Sequence, residues 1–102
     1  MILNAFSINM LVTFPANVAV SQLTLDEARD LAIGLASAVG HPDTAAVFAT
    51  TLGVSVPMNR ATVRLAPGDV ALVGQMIGPR LAEGATSLPE GASIVWFRVT
   101  VS

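Results

Sequence analysis

The sequence predicts a single α/β (α+β) domain in which helices pack on a mixed β-sheet of about five strands. The apolar residues recur at helical spacing after Thr24 and alternate with polar residues, with a period of two, from residue 60. Hydrophobic residues make up 53% and charged residues 12% of the 102 positions, which suits one core and excludes a disordered chain. Because so few charges leave apolar surface exposed on one copy, we expect a homodimer.

The strands are predicted from short β-rich runs bounded by Gly, Pro and Asn. Residues 60–65 alternate apolar and polar side chains and lead through a Pro-Gly-Asp turn into residues 70–77, which predicts a β-hairpin. The other predicted strands are residues 2–6, 17–20 and 94–101. No internal repeat or linker interrupts the chain, so the strands and helices are expected to form one unit.

A first helix is predicted from a capping-box pattern. Thr24 and Glu27 stand three residues apart, so their side chains can satisfy each other's free backbone amides. Leu31, Leu35 and Val39 then recur at helical spacing. A helix carrying these three apolar residues on one face is therefore expected.

His41 stands at the start of a second predicted helix. Pro42 is tolerated only in a first turn, Asp43 suits the positive end of the helix dipole, and Gly53 closes the helix. His41 is the single histidine of the chain. It is either a surface or capping residue or a group that transfers a proton.

Several classes of function are excluded by composition. The chain has no cysteine, so it has no disulfide, thiol nucleophile or zinc knuckle, and one histidine makes a transition-metal site improbable; no cofactor is predicted. Its longest apolar run, residues 31–39, is too short for a membrane span, and the N-terminus lacks a signal-peptide pattern. A cytoplasmic protein is expected. The net charge of −2 argues against binding to long nucleic acid.

Two further segments carry polar groups suited to an anionic ligand. Arg80 and Glu83 follow a Gly-Pro break at the end of a predicted strand, where α/β folds place ligand groups, or they form an exposed ion pair. Ser7 and Asn9 follow the first strand and either bind a ligand's phosphate or hydroxyl or simply terminate the strand in a turn. Composition alone leaves these alternatives open.

Taken together, four segments resemble the viral ring nucleases that act as anti-CRISPR proteins against type III systems. The resemblance covers nearly the whole chain in the family's order, and its most specific segment is NAFSINML. The segments are residues 4–11 (NAFSINML), 38–41 (AVGH), 57–60 (PMNR) and 80–84 (RLAEG).

The resemblance implies that residues 1–102 form one ring-nuclease domain that destroys cyclic tetra-adenylate without a metal. In that family a ribose 2′-hydroxyl attacks its own phosphorus, and the product is linear di-adenylate with a 2′,3′-cyclic phosphate. His41 matches the catalytic histidine that protonates the departing 5′-oxygen, and Arg80 the arginine that meets the charged phosphorane. Glu83 matches the acid that holds His41 protonated, and Ser7 a serine that orients the 2′-hydroxyl.

The same resemblance assigns ligand binding, rather than chemistry, to Asn9, Arg60, Asn4 and Gly40. It also implies a homodimer with the ring bound across the two-fold axis, in the host cytoplasm if the protein is viral. The chain differs from many relatives in having a Pro/Gly loop at residues 85–93 in place of a short helix.

Two other functions remain open on the sequence alone. One is a binding module that sequesters or senses the cyclic nucleotide without cutting it. The other is a small dimeric DNA-binding protein whose sheet arginines form an outward stripe. A cyclic nucleotide that is bound and stays intact would favour the binding module. Binding of duplex DNA with a steep salt dependence would favour the DNA-binding protein.

Overall fold

Four strands form one mixed sheet in the order β1-β3-β4-β2, and a computed structural model describes all residues, 1–102. The strands β1 and β3 are parallel, whereas β4 is antiparallel to both of its neighbours. The strands are β1 (Ile2–Leu3), β2 (Val18–Leu23), β3 (Val70–Ile77) and β4 (Ser93–Val101), and the helices are α1 (Leu25–Ile33) and α2 (Pro42–Leu52). The predicted α+β class is confirmed, with four strands where about five were expected.

Helix α1 begins at the predicted capping box. The backbone amide of Glu27 donates to Thr24 Oγ1 at 3.2 Å, and the amide of Thr24 donates to Glu27 Oε1 at 2.9 Å. Both amides would otherwise lack a partner, because the first turn of a helix has no preceding carbonyls. The start of α1 is therefore set by four consecutive residues.

The predicted continuation of this helix through Leu35 to Val39 is wrong. Gly34 ends the helix, and the following segment runs beside β1. The amide of Ile2 donates to the carbonyl of Ala36 at 2.8 Å, and the amide of Ala38 donates to the carbonyl of Ile2 at 2.9 Å. The backbone groups of residues 36 and 38 bond to the free edge of β1 and not to a further helical turn. The helix therefore ends although the apolar residues continue at helical spacing.

Helix α2 begins and ends where the sequence predicts. His41 is its N-cap residue and Pro42 its first residue, while Gly53 ends it with a φ of 73° and donates its amide to the carbonyl of Ala49 at 2.8 Å. At the same end, Arg29 Nε of α1 donates to the carbonyl of Leu52 at 2.6 Å. A cation at the negative end of α2 thus ties the two helices together.

The predicted hairpin between residues 60–65 and β3 is wrong. Residues 60–65 form no strand, and β3 pairs with β4 and β1 instead. Only Leu65 makes a bridge, to Leu11, with its amide donating to the carbonyl of Met10 at 2.7 Å. The first strand is likewise two residues long rather than five, because β3 pairs with only Ile2 and Leu3.

Two apolar layers lie on opposite faces of the sheet, and successive residues of β3 alternate between them. Under the helices, the rings of Phe48 and Trp96 pack edge-to-face with centroids 4.9 Å apart. Gly74 pairs with Trp96 across the sheet, and its missing side chain leaves room for both rings. On the other face, Leu11 and Leu65 pack over the sheet from irregular segments. That face is covered by loops and not by helices.

Thr24→Ala should lower the free energy of unfolding by ~1 kcal/mol, because the variant loses the side-chain cap of α1. The melting temperature should fall by roughly 4–8 °C per kcal/mol in a domain of this size. Thr62→Ala is the matched control, since Thr62 is exposed and outside any helix or strand. Equal melting temperatures for Thr24→Ala and the control would contradict the role of the cap.

Replacement of Glu27 by alanine should destabilise the protein less in acid than at neutral pH. The backbone amide and then the side chain of Thr24 hold the pKa of Glu27 below its usual value. A carboxyl with a lowered folded-state pKa stabilises the fold above its unfolded pKa, and this contribution is lost as the pH falls through the folded-state value. Chemical unfolding of wild type and Glu27→Ala at neutral and acidic pH should therefore show a difference in the free energy of unfolding that becomes smaller in acid.

Candidate active site

A polar furrow lies where the parallel strands β1 and β3 end and helix α2 begins. It consists of two adjoining hollows of about 520 and 640 Å³ that share His41, Asp43 and Leu81. Asn4, directly after β1, and residues 78–81, directly after β3, line the first hollow. The carboxyl ends of parallel strands are the usual place for ligands in open sheets, and both volumes are in the range of ligand sites.

His41 lies between the two hollows. As the N-cap residue of α2 it has an extended backbone, and its side chain makes no capping hydrogen bond. The imidazole is exposed to solvent. The helix start therefore fixes the position of His41 through the backbone and leaves both ring nitrogens available to a ligand.

Arg60 enters the second hollow from an irregular segment held against the start of α2. Its Nε donates to the carbonyl of Gly40 at 2.9 Å, which leaves both terminal guanidinium nitrogens free to bind an anion. The neighbouring Asn59 fixes this segment by donating its amide to the carbonyl of Val39 and its Nδ2 to the carbonyl of Ser37, both at 2.8 Å. A Cβ atom on Gly40 would lie 3.2 Å from Arg60 Cγ, so glycine makes room for the arginine.

Arg80 and Glu83 come from the β3–β4 loop, which comprises residues 78–92. Arg80 lines the first hollow and Glu83 the second. The predicted alternative of an ion pair between them is absent, and neither pairs with His41, because the one ion pair of the chain joins Arg29 and Asp26. Both side chains are thus available to a ligand in the furrow.

The structure does not bring Ser7 and Asn9 to the furrow of the same chain. They belong to a 3₁₀ turn at Ile8–Met10, where Ser7 Oγ accepts from the amide of Asn9 at 3.3 Å. This is the strand-terminating turn that the sequence left open as an alternative. The serine hydroxyl still has its own proton to donate, and both residues are exposed.

An apolar groove of about 380 Å³ adjoins the furrow on the sheet face that the helices do not cover. The aromatic rings of Phe6 and Phe97 line it, and the amide side chains of Asn4 and Gln75 are its polar groups. Asn4 lines both the groove and the first hollow. A ligand in the furrow can therefore extend onto an apolar surface with hydrogen-bonding groups at its border.

The furrow combines cations with two carboxylates. The cations are Arg60 and Arg80, the carboxylates are those of Asp43 and Glu83, and the imidazole of His41 lies among them. The N-terminal end of α2 adds its positive dipole. Such a site favours an anion that meets the arginines and avoids the carboxylates. No group of three or more His, Cys, Asp or Glu side chains is placed to hold a metal ion. None of the helices has the length and apolar character needed to cross a membrane.

Comparison with known proteins places the furrow in a family context. A sequence model described as STIV B116-like matches residues 1–92, which include every residue of the furrow. The chain belongs to the STIV B116-like family. A similar solved structure is B116 of Sulfolobus turreted icosahedral virus, with a TM-score of 0.82 and 31% sequence identity over 97% of this chain and 96% of that chain. No curated protein matches the chain.

The STIV B116-like family is a viral protein family, and the fold of B116 matches that of this chain over nearly the whole length of both. Two polar residues, one in the furrow and one in the adjoining groove, carry no functional expectation from the sequence. Asp43 was interpreted only as an acidic residue at a helix start. Gln75 was overlooked, although a glutamine within an otherwise apolar run of β3 is a detectable signal for a polar group at a sheet face.

Proposed function

We propose that this STIV B116-like protein is a ring nuclease, a metal-independent phosphodiesterase that cleaves cyclic tetra-adenylate and so switches off type III CRISPR signalling. The product is linear di-adenylate with a 2′,3′-cyclic phosphate. The observation that supports this most is the furrow, in which His41 lies between a hollow lined by Arg80 and a hollow lined by Arg60 and Glu83. Three of the four segments that resemble viral ring nucleases contribute these residues, and the fourth contributes Asn4 to the first hollow.

The reaction needs a proton at one oxygen and a fixed geometry at phosphorus. The ribose 2′-oxygen forms a bond to the adjacent phosphorus and loses its proton to solvent water, while the bond from phosphorus to the 5′-oxygen breaks. His41 gives a proton to that departing oxygen, because a 5′-alkoxide is a poor leaving group. The exposed imidazole, free of capping bonds, is the one side chain of its kind in the chain.

The arginines meet the charge that builds on the non-bridging oxygens. Arg60 is held by its Nε bond to Gly40, so its two terminal nitrogens are already oriented when the phosphate arrives. Arg80 lines the first hollow. Glu83 supplies a negative charge in the hollow that also contains His41.

A four-nucleotide ring is larger than either hollow and would continue past Asn4 over the sheet face. The turn that carries Ser7 and Asn9 lines neither hollow of the same chain, so the role of the serine hydroxyl in orienting the attacking 2′-oxygen stays a prediction. We further propose that two copies share the ring as a homodimer. Large exposed apolar side chains support this, with Ile8 exposed to 69%, Phe14 to 66% and Val20 to 59%.

The test is incubation of the purified protein with cyclic tetra-adenylate in excess EDTA, followed by chromatography of the nucleotides. We expect the ring to disappear and di-adenylate to accumulate. A tetra-deoxyadenylate ring is the matched control, because without 2′-hydroxyls it should stay intact. Tight binding of cyclic tetra-adenylate that stays uncut would overturn the catalytic proposal in favour of sequestration. The absence of binding would overturn both proposals.

A further inference from the structure

The β3–β4 loop carries two residues of the furrow but has little to hold it in place. Residues 79–90 contain no regular secondary structure, and their backbone bonds are short-range turns such as the amide of Ala85 donating to the carbonyl of Ala82 at 3.0 Å. Gly84, in the middle of this segment, has a φ of 78° with nothing near its Cβ position. Local contacts therefore do not fix where Arg80 and Glu83 lie relative to His41.

One hydrogen bond joins this segment to the rest of the molecule. Asp43 Oδ2 accepts from the backbone amide of Gly84 at 3.0 Å, across 41 residues of sequence. Gly84 directly follows Glu83, and Asp43 is two residues beyond His41 in the first turn of α2. The bond therefore links the loop that carries Arg80 and Glu83 to the helix end that carries His41.

We propose that Asp43 is a positioning residue that latches the β3–β4 loop to the start of α2 and so sets the distance of Arg80 and Glu83 from His41. This rests on the proposed function for its catalytic consequence, whereas the latch itself is a statement about the fold. Asp43 does not act on the substrate. Its effect on the reaction comes through the loop, since misplaced charge stabilisers lose much of their effect on rate.

The carboxylate of Asp43 both accepts a hydrogen bond and carries a negative charge, and substitution can separate these two properties. Asp43 lines both hollows, so its negative charge opposes a phosphate there. An asparagine would keep an oxygen that accepts from the amide of Gly84 but would remove the charge. Asp43→Asn and Asp43→Ala both lose the favourable interaction with the helix dipole, so comparison of the two isolates the hydrogen bond.

Limited trypsin digestion tests the latch without reference to activity. The bond between Arg80 and Leu81 lies in the loop, and the bond between Arg64 and Leu65 lies outside it and serves as the internal control. We expect Asp43→Ala to be cut after Arg80 several-fold faster than wild type, whereas Asp43→Asn is cut at the wild-type rate and cleavage after Arg64 is unchanged in both. Equal cleavage after Arg80 in all three proteins would overturn the latch.

Kinetics with cyclic tetra-adenylate test the consequence for the reaction. Asp43→Ala should lower kcat by up to ~10²-fold, the cost of a misplaced catalytic group. Asp43→Asn should lose much less kcat than Asp43→Ala, because it keeps the hydrogen bond to Gly84, and it should lower KM, because a like charge has left the phosphate site. Inactive wild type with the expected trypsin pattern would remove the ring-nuclease proposal and keep the latch; unchanged kcat in Asp43→Ala would overturn its positioning role.

Discussion

Replacement of His41 by alanine should lower kcat for cyclic tetra-adenylate by roughly 10²–10⁴-fold, the usual contribution of a general acid. The affinity for the ring should change little, because Arg60 and Arg80 still line the furrow. The fold should also persist, because the imidazole is exposed and caps nothing. Rapid-quench measurement of ring opening, together with circular dichroism of the variant, checks all three expectations.

His41→Asn is the control that separates proton transfer from helix capping. Asparagine is a favoured N-cap residue, so this variant should be at least as stable as wild type. Its amide N–H groups can donate hydrogen bonds but are far too weakly acidic to transfer a proton to the departing oxygen, so its kcat should be as low as that of His41→Ala. Full activity in His41→Asn would mean that the residue serves the helix rather than the reaction.

Replacement of Gly74 by alanine should lower the free energy of unfolding by about 1–3 kcal/mol, the cost of an overpacked core. The new Cβ atom would lie 2.6 Å from Trp96 Cζ3 and 2.7 Å from Phe48 Cζ. Both rings are buried and pack against each other, so neither can withdraw without losing its own contacts. Thermal or chemical unfolding of the variant measures the effect.

Gly34→Ala is the matched control for the added methyl group. The nearest atom to a Cβ at this position is the carbonyl oxygen of Leu31 at 4.0 Å, and the backbone φ is −92°, which alanine adopts freely. Its stability should stay close to that of wild type. A loss in Gly34→Ala as large as that in Gly74→Ala would show that the glycine backbone, and not the aromatic pair, governs the effect.

Elements stabilised by bonds between near neighbours were predictable from the sequence. The capping box of Thr24 and Glu27 joins residues three apart, and the bond from Gly53 to Ala49 that closes α2 joins residues four apart. Such signals act within one turn of the chain. The starts of both helices and the end of α2 were therefore correct.

Elements that depend on a distant partner were not predictable. The alternation of residues 60–65 is compatible with a strand, but a strand needs a neighbour, and the edge of β3 is occupied by β4 on one side and β1 on the other. The predicted end of α1 was wrong for the same reason, because Ser37 pairs with the distant Ile2. Alternation of apolar and polar residues indicates which side chains can be buried on one face. It does not indicate which neighbouring strand pairs with the segment.

The candidate site shows the same division. The furrow includes His41, Arg80, Glu83 and Arg60, whose segments the sequence singled out. The bond from Gly84 to Asp43 spans 41 residues and follows from no local pattern. The turn capped by Ser7 is one of the two alternatives that the sequence leaves open, but no local pattern indicates that Ser7 lies outside the furrow of its own chain.

The most direct test of proton donation by His41 uses a cyclic tetra-adenylate in which sulfur replaces each bridging 5′-oxygen. A thiolate leaves without needing a proton, so the acid becomes dispensable while the attack and the arginine contacts are unchanged. Wild type and His41→Ala should then open the ring at similar rates, although they differ greatly on the oxygen ring. A His41→Ala variant that stays as slow on the sulfur ring as on the oxygen ring would contradict the proposed role of His41.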